Sequence, residues 1–226
     1  MYIANSRHLF YNQIYSSGFW RKTLDKEIRR KDRAVTDINK ITKIIDEAKI
    51  LHLGLIDKGF PHIVPLHYGY EYDATKDIFV FYMHSAKVGH KIELIKENGN
   101  ACIELETDIE LDAAEDIPCQ YSSFYSSVIG QGKATIVEDI EEKKYGLNLL
   151  MKNQTGRTFD FSNQMVGTVA VIKVEISDYT AEARVKINGQ GQTEKSEFVE
   201  RFPELSLFYG LSSPLNSEMI CIFPYF

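Results

Sequence analysis

The sequence predicts a mainly β protein whose strands form an antiparallel sheet, with a few flanking helices. Two observations lead to this prediction: about seven segments have strand-like residue patterns, and only about three have helical spacing. Short turns separate most of the strands, and Asp57-Lys-Gly59 is the clearest hairpin signal. A parallel sheet would require a helix after nearly every strand, which this chain lacks. The predicted strands are numerous enough to close into a small barrel.

The first half of the chain is predicted to hold one helix followed by hairpin-linked strands. Thr36 or Asp37 is a suitable helix cap, and the apolar residues that follow fall on one helical face: Ile38, Ile41, Ile44, Ile45 and Ala48. The predicted strands are Ile50–Ile56, Phe60–Tyr70 and Ile78–His84, with turns at 57–59 and 73–77. Pro61 and Pro65 have no N–H to donate, so they favour a sheet edge or a bulge.

The second half of the chain is predicted to alternate between helices and strands. The predicted helices are Lys87–Asn98 and Glu141–Lys152. The predicted strands are Ala101–Thr107, Ser123–Gly130, Lys133–Val137 and Val166–Ile176. We expect an acidic loop from Asp108 to Asp116, and a turn at Gly130-Gln-Gly132 that pairs the two strands beside it.

Composition narrows the classes of function. The 226 residues carry a net charge of −6, whereas nucleic-acid-binding proteins normally present a basic surface. No apolar run reaches the roughly 18 residues of a membrane-spanning helix. The three cysteines lie far apart without a Cys/His ligand pair, so no zinc site or disulfide framework is indicated. We therefore expect a cytoplasmic protein that binds neither nucleic acid nor membrane and holds no metal.

Three zones of the chain differ in character. Residues 1–28 mix aromatic and polar residues without a period, and we interpret them as an N-terminal extension. Residues 29–186 hold the periodic patterns and are predicted to form the barrel domain. Residues 187–226 form a C-terminal extension that begins turn-rich and ends in an apolar string from Met219 to Phe226. We expect this extension to dock on the barrel or on a second subunit.

The segment with the most chemical information is His84-Ser-Ala-Lys-Val-Gly-His-Lys91, which leaves a predicted strand and enters a predicted helix. Free N–H groups and the helix dipole at a helix start attract an anion. The segment also supplies a hydroxyl, positive charges and a small residue that lets the backbone approach, from Ser85, Lys87, Gly89, His90 and Lys91. These features suit one phosphate group, although an ordinary solvated turn has the same pattern.

Two further segments are candidates for contact with a flat ligand. Residues 62–69 are interrupted by Pro65, so a broken strand there has backbone groups free to face a ligand; an edge strand without a ligand looks the same. Residues 119–132 combine serines and tyrosines, which suit a heteroaromatic ring and equally the polar face of an exposed strand. His62 and His67 lack a third metal ligand nearby.

Other charged clusters and motifs carry no chemistry. The carboxylates of 108–116 lack the ligand spacing of a calcium loop, and the basic run Arg29–Arg33 is typical of a solvated segment. The chain has no Gly-rich dinucleotide fingerprint, no P-loop and no nucleophile elbow. Nucleotide triphosphate chemistry and serine-nucleophile chemistry are therefore without support.

Five short motifs follow one another within residues 29–186, and together they resemble a known family. They are Arg29-Arg-Lys-Asp-Arg-Ala34, Val64-Pro65 with Tyr68-Gly69-Tyr70, Tyr82-Met-His-Ser-Ala86 with Gly89-His-Lys91, Tyr125-Ser-Ser-Val-Ile-Gly-Gln-Gly132, and Glu141-Glu-Lys143. This series is similar to the nitroimidazole-resistance family of flavin proteins, within the pyridoxamine 5'-phosphate oxidase-like superfamily. That family usually begins near the basic run, so residues 1–28 have no counterpart in it.

The resemblance implies a split β-barrel that forms a homodimer with two FMN molecules between the subunits. The implied cofactor-binding residues are Val64, Pro65 and Leu66 along the isoalloxazine ring, His84, Ser85, Ala86 and Lys91 at the flavin and its phosphate, and Tyr125, Ser126 and Ser127 near the dimer interface. The last three would reach the flavin of the partner subunit. His90 stands where the family usually has a small or acidic residue, so the implied phosphate site rests on Lys91 and Ser85.

The leading hypothesis is a flavin oxidoreductase that passes electrons from an external donor to a small aromatic acceptor, with nitroaromatics as the candidate class. His84 would lie near the reacting ring as the catalytic residue, and the cofactor itself would supply the redox chemistry. The alternative is a flavin- or haem-binding protein without turnover, with His62, His67 and His84 as candidate haem ligands. Pyridoxamine phosphate oxidation ranks lowest because the barrel segments have few spare cationic residues for a second phosphate.

Overall fold

The computed structural model describes residues 28–113 and 117–186. The strands are β1 Leu51–Asp57, β2 Phe60–Leu66, β3 Tyr68–Asp73, β4 Ile78–Ser85, β5 Asn100–Asp112, β6 Ser122–Val137 and β7 Ala170–Arg184. The α-helices are α1 Ile38–Glu47, α2 His90–Glu97, α3 Ile140–Thr155 and α4 Asn163–Val166, and 3-10 helices span Lys31–Arg33 and Pro118–Gln120. Apart from Ile28, both predicted extensions lie outside the described residues. No described helix has the length and apolar character needed to cross a membrane.

The sheet must roll up because of how its edge strands are connected. Its order is β2-β1-β5-β6-β7-β4-β3, so β2 and β3 are at opposite edges although only His67 separates them in the chain. Six spacings of about 4.8 Å would hold the edges of a flat sheet about 29 Å apart, but a single linking residue spans at most about 7 Å. The antiparallel sheet therefore closes into a barrel that is split between β2 and β3. The predicted mainly β fold is confirmed.

The barrel core is filled by alternate residues of the strands and is closed by α1. Phe79, Phe81 and Met83 of β4 point inward and are fully buried. Helix α1 begins where the Asp37 side chain accepts a hydrogen bond from the Asn39 N–H at 2.9 Å, as the sequence predicted for one of its two candidate caps. Its apolar face then packs on the same core.

Helix α3 packs very closely on the outside of β3 and β4. A Cβ on Gly69 would lie 2.1 Å from the backbone of α3, and a Cβ on Gly146 would lie 2.5 Å from the Tyr82 ring. The Asn153 side chain donates to the carbonyl oxygen of Tyr68 at 3.0 Å. The helix therefore covers an edge strand and satisfies one of its edge carbonyls.

Several predicted strand boundaries are wrong, and close packing explains one of them. The predicted strand Val166–Ile176 is in fact β7, which spans Ala170–Arg184, and Val166 belongs to α4. β6 runs through Gly130 and Gly132 without the predicted turn. A Cβ on Gly132 would lie 1.8 Å from the carbonyl oxygen of Glu175, and one on Gly130 would lie 2.5 Å from the Ile176 side chain. These glycines therefore permit the close approach of β7. The predicted strand Phe60–Tyr70 is in fact β2 and β3, because the chain changes sheet edge at His67.

The predicted acidic loop is also wrong for residues 108–112, because β5 continues to Asp112, and residues 114–116 lie outside the described residues. The chain divides into two units, and the described part of the second comprises residues 110–113, 117–124 and 184–186. In its described part, Arg184 forms an ion pair with Asp112 and donates to the carbonyl oxygen of Ser123 at 3.1 Å. Lys186 pairs with Glu110 at 2.7 Å. Glu110 and Asp112, which the sequence suggested were solvated, thus form ion pairs, whereas Glu115 and Asp116 lie outside the described residues.

Candidate functional site

The β1–β2 hairpin positions the first set of predicted site residues. Its turn uses positive φ angles at Lys58 and Gly59, as a tight two-residue hairpin requires. Val64 lies opposite Leu53, which is buried, so Val64 and Leu66 face the core side of the sheet. Pro65 lies on the other face and is exposed. Of these three residues, Pro65 is exposed on the outside of the barrel, whereas Val64 and Leu66 are half-buried.

The end of β4 positions the second set. Met83 and Ser85 are buried, whereas His84 lies between them on the opposite face and is exposed. The Ser85 hydroxyl donates to the carbonyl oxygen of Ala86 at 2.9 Å. His84 is therefore exposed to solvent, whereas the Ser85 hydroxyl already donates its hydrogen to a neighbouring backbone carbonyl.

The ends of β2 and β4 are brought together by the chain itself. Leu66 is two residues from Tyr68, and Tyr68 pairs with Met83. Two chain steps of about 3.5 Å and a cross-strand distance of about 5 Å place Leu66 within about 12 Å of Met83. The segments around Pro65 and His84, which are about 20 residues apart in sequence, thus border the same part of the barrel.

The start of α2, formed by Gly89, His90 and Lys91 and called here the helix-start site, is open. Gly89 has φ 132° and no side-chain cap, and a Cβ placed on it would meet nothing within 4 Å. The N–H groups of His90 and Lys91 make no hydrogen bond within residues 28–113 and 117–186. In that same part of the chain the half-buried Lys91 ammonium has no ion pair. Backbone donors and a free cation are the donor set that one phosphate requires.

His90 is held by the hairpin rather than left free. Its Nε2 lies 2.7 Å from Asp57 Oδ2, its Nδ1 lies 3.6 Å from Glu93 Oε2, and its ring packs edge-on against His62 at 5.2 Å. The hydrogen bond from His90 lowers the pKa of the Asp57 carboxyl, and the same bond raises the pKa of His90. Sequence reasoning treated Asp57 only as a turn residue. Its position directly before Lys-Gly gave no signal of a partner 33 residues away.

Two of the three predicted residues of β6, Tyr125 and Ser126, have other partners within the described chain. The Tyr125 hydroxyl accepts from Arg33 at 3.2 Å and donates to Glu182 at 3.3 Å. The buried Ser126 hydroxyl donates to Asp108 at 3.1 Å. These hydrogen bonds join β6 to β5, to β7 and to the 3-10 helix at 31–33. That Tyr125, Ser126 and Ser127 contact a flavin across a dimer stays a prediction.

A large concavity lies elsewhere, on the outside of the sheet. Its volume is about 1120 Å³, and its lining includes Gly54, Ile56, Phe60, Cys102 and Gly132 but no predicted cofactor residue. Burial raises the pKa of the Cys102 thiol, which disfavours a nucleophilic thiolate there. Among the residues that the structure describes, no group of three or more His, Cys, Asp or Glu side chains is placed to hold a metal ion.

The sequence of the chain matches one protein family. Residues 37–183 match the model of the family described as pyridoxamine 5'-phosphate oxidase. A similar solved structure is a protein from Bacteroides thetaiotaomicron that is provisionally named a 5-nitroimidazole antibiotic resistance protein. It is 33% identical, with a TM-score of 0.57, and the match covers 66% of this chain and 85% of that one. No protein of curated function is significantly similar to the chain.

Two more distant structures share the fold. The flavocytochrome Anf3 from Azotobacter vinelandii is 19% identical with a TM-score of 0.58, and the match covers 77% of this chain and 78% of that one. The FAD and haem binding protein from Mycobacterium smegmatis is 12% identical with a TM-score of 0.58, covering 86% of this chain and 93% of that one. The resemblance inferred from five sequence motifs is confirmed by the family match and by the 33% identical relative.

Proposed function

Because the chain belongs to the pyridoxamine 5'-phosphate oxidase family, we propose that it is a flavoprotein that binds FMN and reduces a small aromatic acceptor. The observation that carries the proposal is the helix-start site. It combines the Lys91 ammonium with backbone N–H groups that have no partner among the described residues, and it lies within the region that matches the family. FMN carries one phosphate group, and the helix-start site offers donors for one.

The flavin ring would lie along the outside of the barrel between β2 and the end of β4. Pro65 and His84 are both exposed there and both point away from the core. Pro65 has no N–H, so its apolar ring is a surface on which a flat heteroaromatic group packs without a competing donor. Val64 and Leu66 would support this surface from the core side, where they are half-buried.

A second copy of the chain would complete the site. Ile56, Phe60 and Ile63 of the β1–β2 hairpin leave 47%, 72% and 62% of their surfaces exposed. Ile56 and Phe60 also line the large concavity. Apolar surface of this kind on a folded chain is typical of an interface. In a homodimer, Tyr125, Ser126 and Ser127 would reach toward the partner's flavin.

The proposed reaction is flavin-dependent reduction of a nitroaromatic or related small acceptor. The bound FMN would supply the electron transfer, and the protein would bind, orient and shield it. The nitroimidazole acceptor class is taken from the name of the 33% identical relative. His84 is exposed beside the proposed ring position, so we assign it to positioning the acceptor or holding a proton beside it.

The first test is an absorption spectrum of the purified protein with mass analysis of what heat releases. A yellow protein that releases FMN at about one molecule per chain supports the proposal. A colourless protein that takes up no added FMN contradicts it. Haem that bound instead, with a sharp Soret band, would favour the alternative of a binding protein without flavin turnover.

A further inference from the structure

We propose that His90 and Asp57 act as a positioning pair that fixes the helix-start site to the β1–β2 hairpin and adjusts its affinity for the flavin phosphate. His90 is the first residue of α2, and Asp57 is the last residue of β1. Their side chains meet at 2.7 Å. The inference rests on the proposed function, since it concerns the same FMN site.

The contact ties together the two parts of that site. Lys91 follows His90 directly, so the bond that holds His90 also holds the backbone on which the Lys91 ammonium is carried. The hairpin contributes β2, with Pro65 on its exposed face. The pair therefore sets the distance between the proposed phosphate donors and the proposed ring surface. Neither residue needs to contact the cofactor to do so.

The charges around His90 determine how the pair affects an anion. From the hairpin, Asp57, Lys58 and His62 face this region, and from α2 itself Glu93 lies 3.6 Å from the ring. When His90 is protonated, it offsets the Asp57 carboxylate beside the helix start. When His90 is neutral, that carboxylate is left uncompensated near the position of the phosphate. FMN should therefore bind more weakly as His90 loses its proton.

The direction of the pKa shift places this change above the ordinary pKa of a histidine. The bond to Asp57 raises the pKa of His90 above 6.5. The second ionisation of a phosphate monoester lies near about pH 6, so FMN is already dianionic above about pH 7. A loss of FMN affinity between about pH 7 and pH 9 would then report on the protein and not on the ligand.

The experiment measures the dissociation constants of FMN and riboflavin by flavin fluorescence quenching across this range. For the wild-type protein, we expect FMN binding to weaken by about three- to fivefold from pH 7 to pH 9, and riboflavin binding to stay constant. In His90→Gln, the FMN constant should become independent of pH. Lys96→Gln is the control, because Lys96 is exposed and lies in the last turn of α2, so this variant removes a positive charge from the same helix away from its start. It should keep the wild-type profile.

Two Asp57 variants distinguish the effect of the hydrogen bond to His90 from the effect of the Asp57 negative charge. Asp57→Asn keeps an oxygen that can accept the hydrogen bond from His90, so FMN affinity at pH 7 should be retained while the midpoint of the pH profile moves lower. Asp57→Ala loses the bond, and FMN affinity should fall. A midpoint unchanged in Asp57→Asn, or equal FMN profiles in wild type and His90→Gln, would overturn the inference and leave the proposed function standing. Failure of the wild-type protein to bind FMN at all would overturn both.

Discussion

Leu66 and Tyr68 are separated by one residue, yet they lie in strands at opposite edges of the seven-stranded sheet. Leu66 pairs with Leu51 of β1, and Tyr68 pairs with Met83 of β4. This relationship closes the barrel and also creates the proposed site, because it brings the end of β2 beside the end of β4. The proposed phosphate donors of α2 then follow β4 by only a few residues. The fold and the candidate site thus both depend on the passage of the chain through His67 from one edge of the sheet to the other.

Gly69 is required for the packing of α3, so Gly69→Ala should destabilise the fold. The new Cβ would lie 2.1 Å from the backbone of α3, and a helix backbone cannot give way as a side chain can. We expect a loss of about 2–3 kcal/mol in the free energy of unfolding, measured by urea denaturation. Gly54→Ala is the control, because its nearest neighbour would be at an ordinary 3.5 Å. Equal stability of the two variants would contradict the packing argument.

The His90–Asp57 pair should make stability depend on pH in a defined direction. Because the folded-state pKa of His90 is raised above 6.5, its contribution is present below pH 6.5 and is lost as the pH rises through the folded-state pKa. Because the pKa of Asp57 is lowered from 3.8, its contribution is present above pH 3.8 and is lost as the pH falls through the folded-state value. Wild type should therefore exceed His90→Gln in stability by more at pH 5.5 than at pH 9. Urea unfolding at both pH values checks this, and the reverse order would refute it.

His84 should affect turnover more than it affects flavin content. Its side chain is exposed and, within the described residues, makes no hydrogen bond, so His84→Ala should fold normally. We expect FMN to remain bound while the rate of nitroaromatic reduction falls about tenfold or more. His67→Ala is the control, since His67 is exposed and bonds only to the Lys49 carbonyl within the described chain. Unchanged turnover and unchanged flavin redox behaviour in His84→Ala would remove the catalytic assignment.

Because the β1–β2 hairpin exposes apolar side chains, we expect the protein to form a dimer, and a charged side chain placed in the hairpin should disrupt it. Ile63→Lys places an ammonium in the proposed dimer interface and should shift the protein from dimer to monomer in analytical ultracentrifugation. Val88→Lys is the control, because Val88 is even more exposed but lies outside the hairpin. Wild-type protein that sediments as a monomer would contradict the proposed interface directly.

Much of the fold could be predicted because it depends on local residue patterns. The alternation of Leu51, Leu53 and Leu55 predicted β1, Asp57-Lys-Gly59 predicted the hairpin, and the two prolines predicted the edge position of β2. These signals come from backbone geometry and from one-sided burial, which act over a few residues.

The features that could not be predicted depend on contacts between distant segments. Gly130 and Gly132 look like a turn in the sequence, and only the closeness of β7 explains them. The split at His67 follows from sheet closure, and no local pattern marks it. The candidate site likewise has one part that could be predicted from the sequence and one part that could not. A helix after β4 was predictable from its residues, although it begins at His90 and not at the predicted Lys87. The bond between His90 and Asp57 required the fold.

The central claim is that the helix-start site holds the phosphate of FMN, and the ratio of FMN to riboflavin affinity tests it most directly. Calorimetry of wild type, Lys91→Gln and the control Lys96→Gln, whose exposed lysine lies in the last turn of the same helix, measures this ratio. We expect wild type and Lys96→Gln to prefer FMN by about tenfold or more, and Lys91→Gln to lose most of that preference while its affinity for riboflavin stays unchanged. A wild-type protein that binds FMN and riboflavin equally, or a Lys91→Gln protein with the full preference, would contradict the claim.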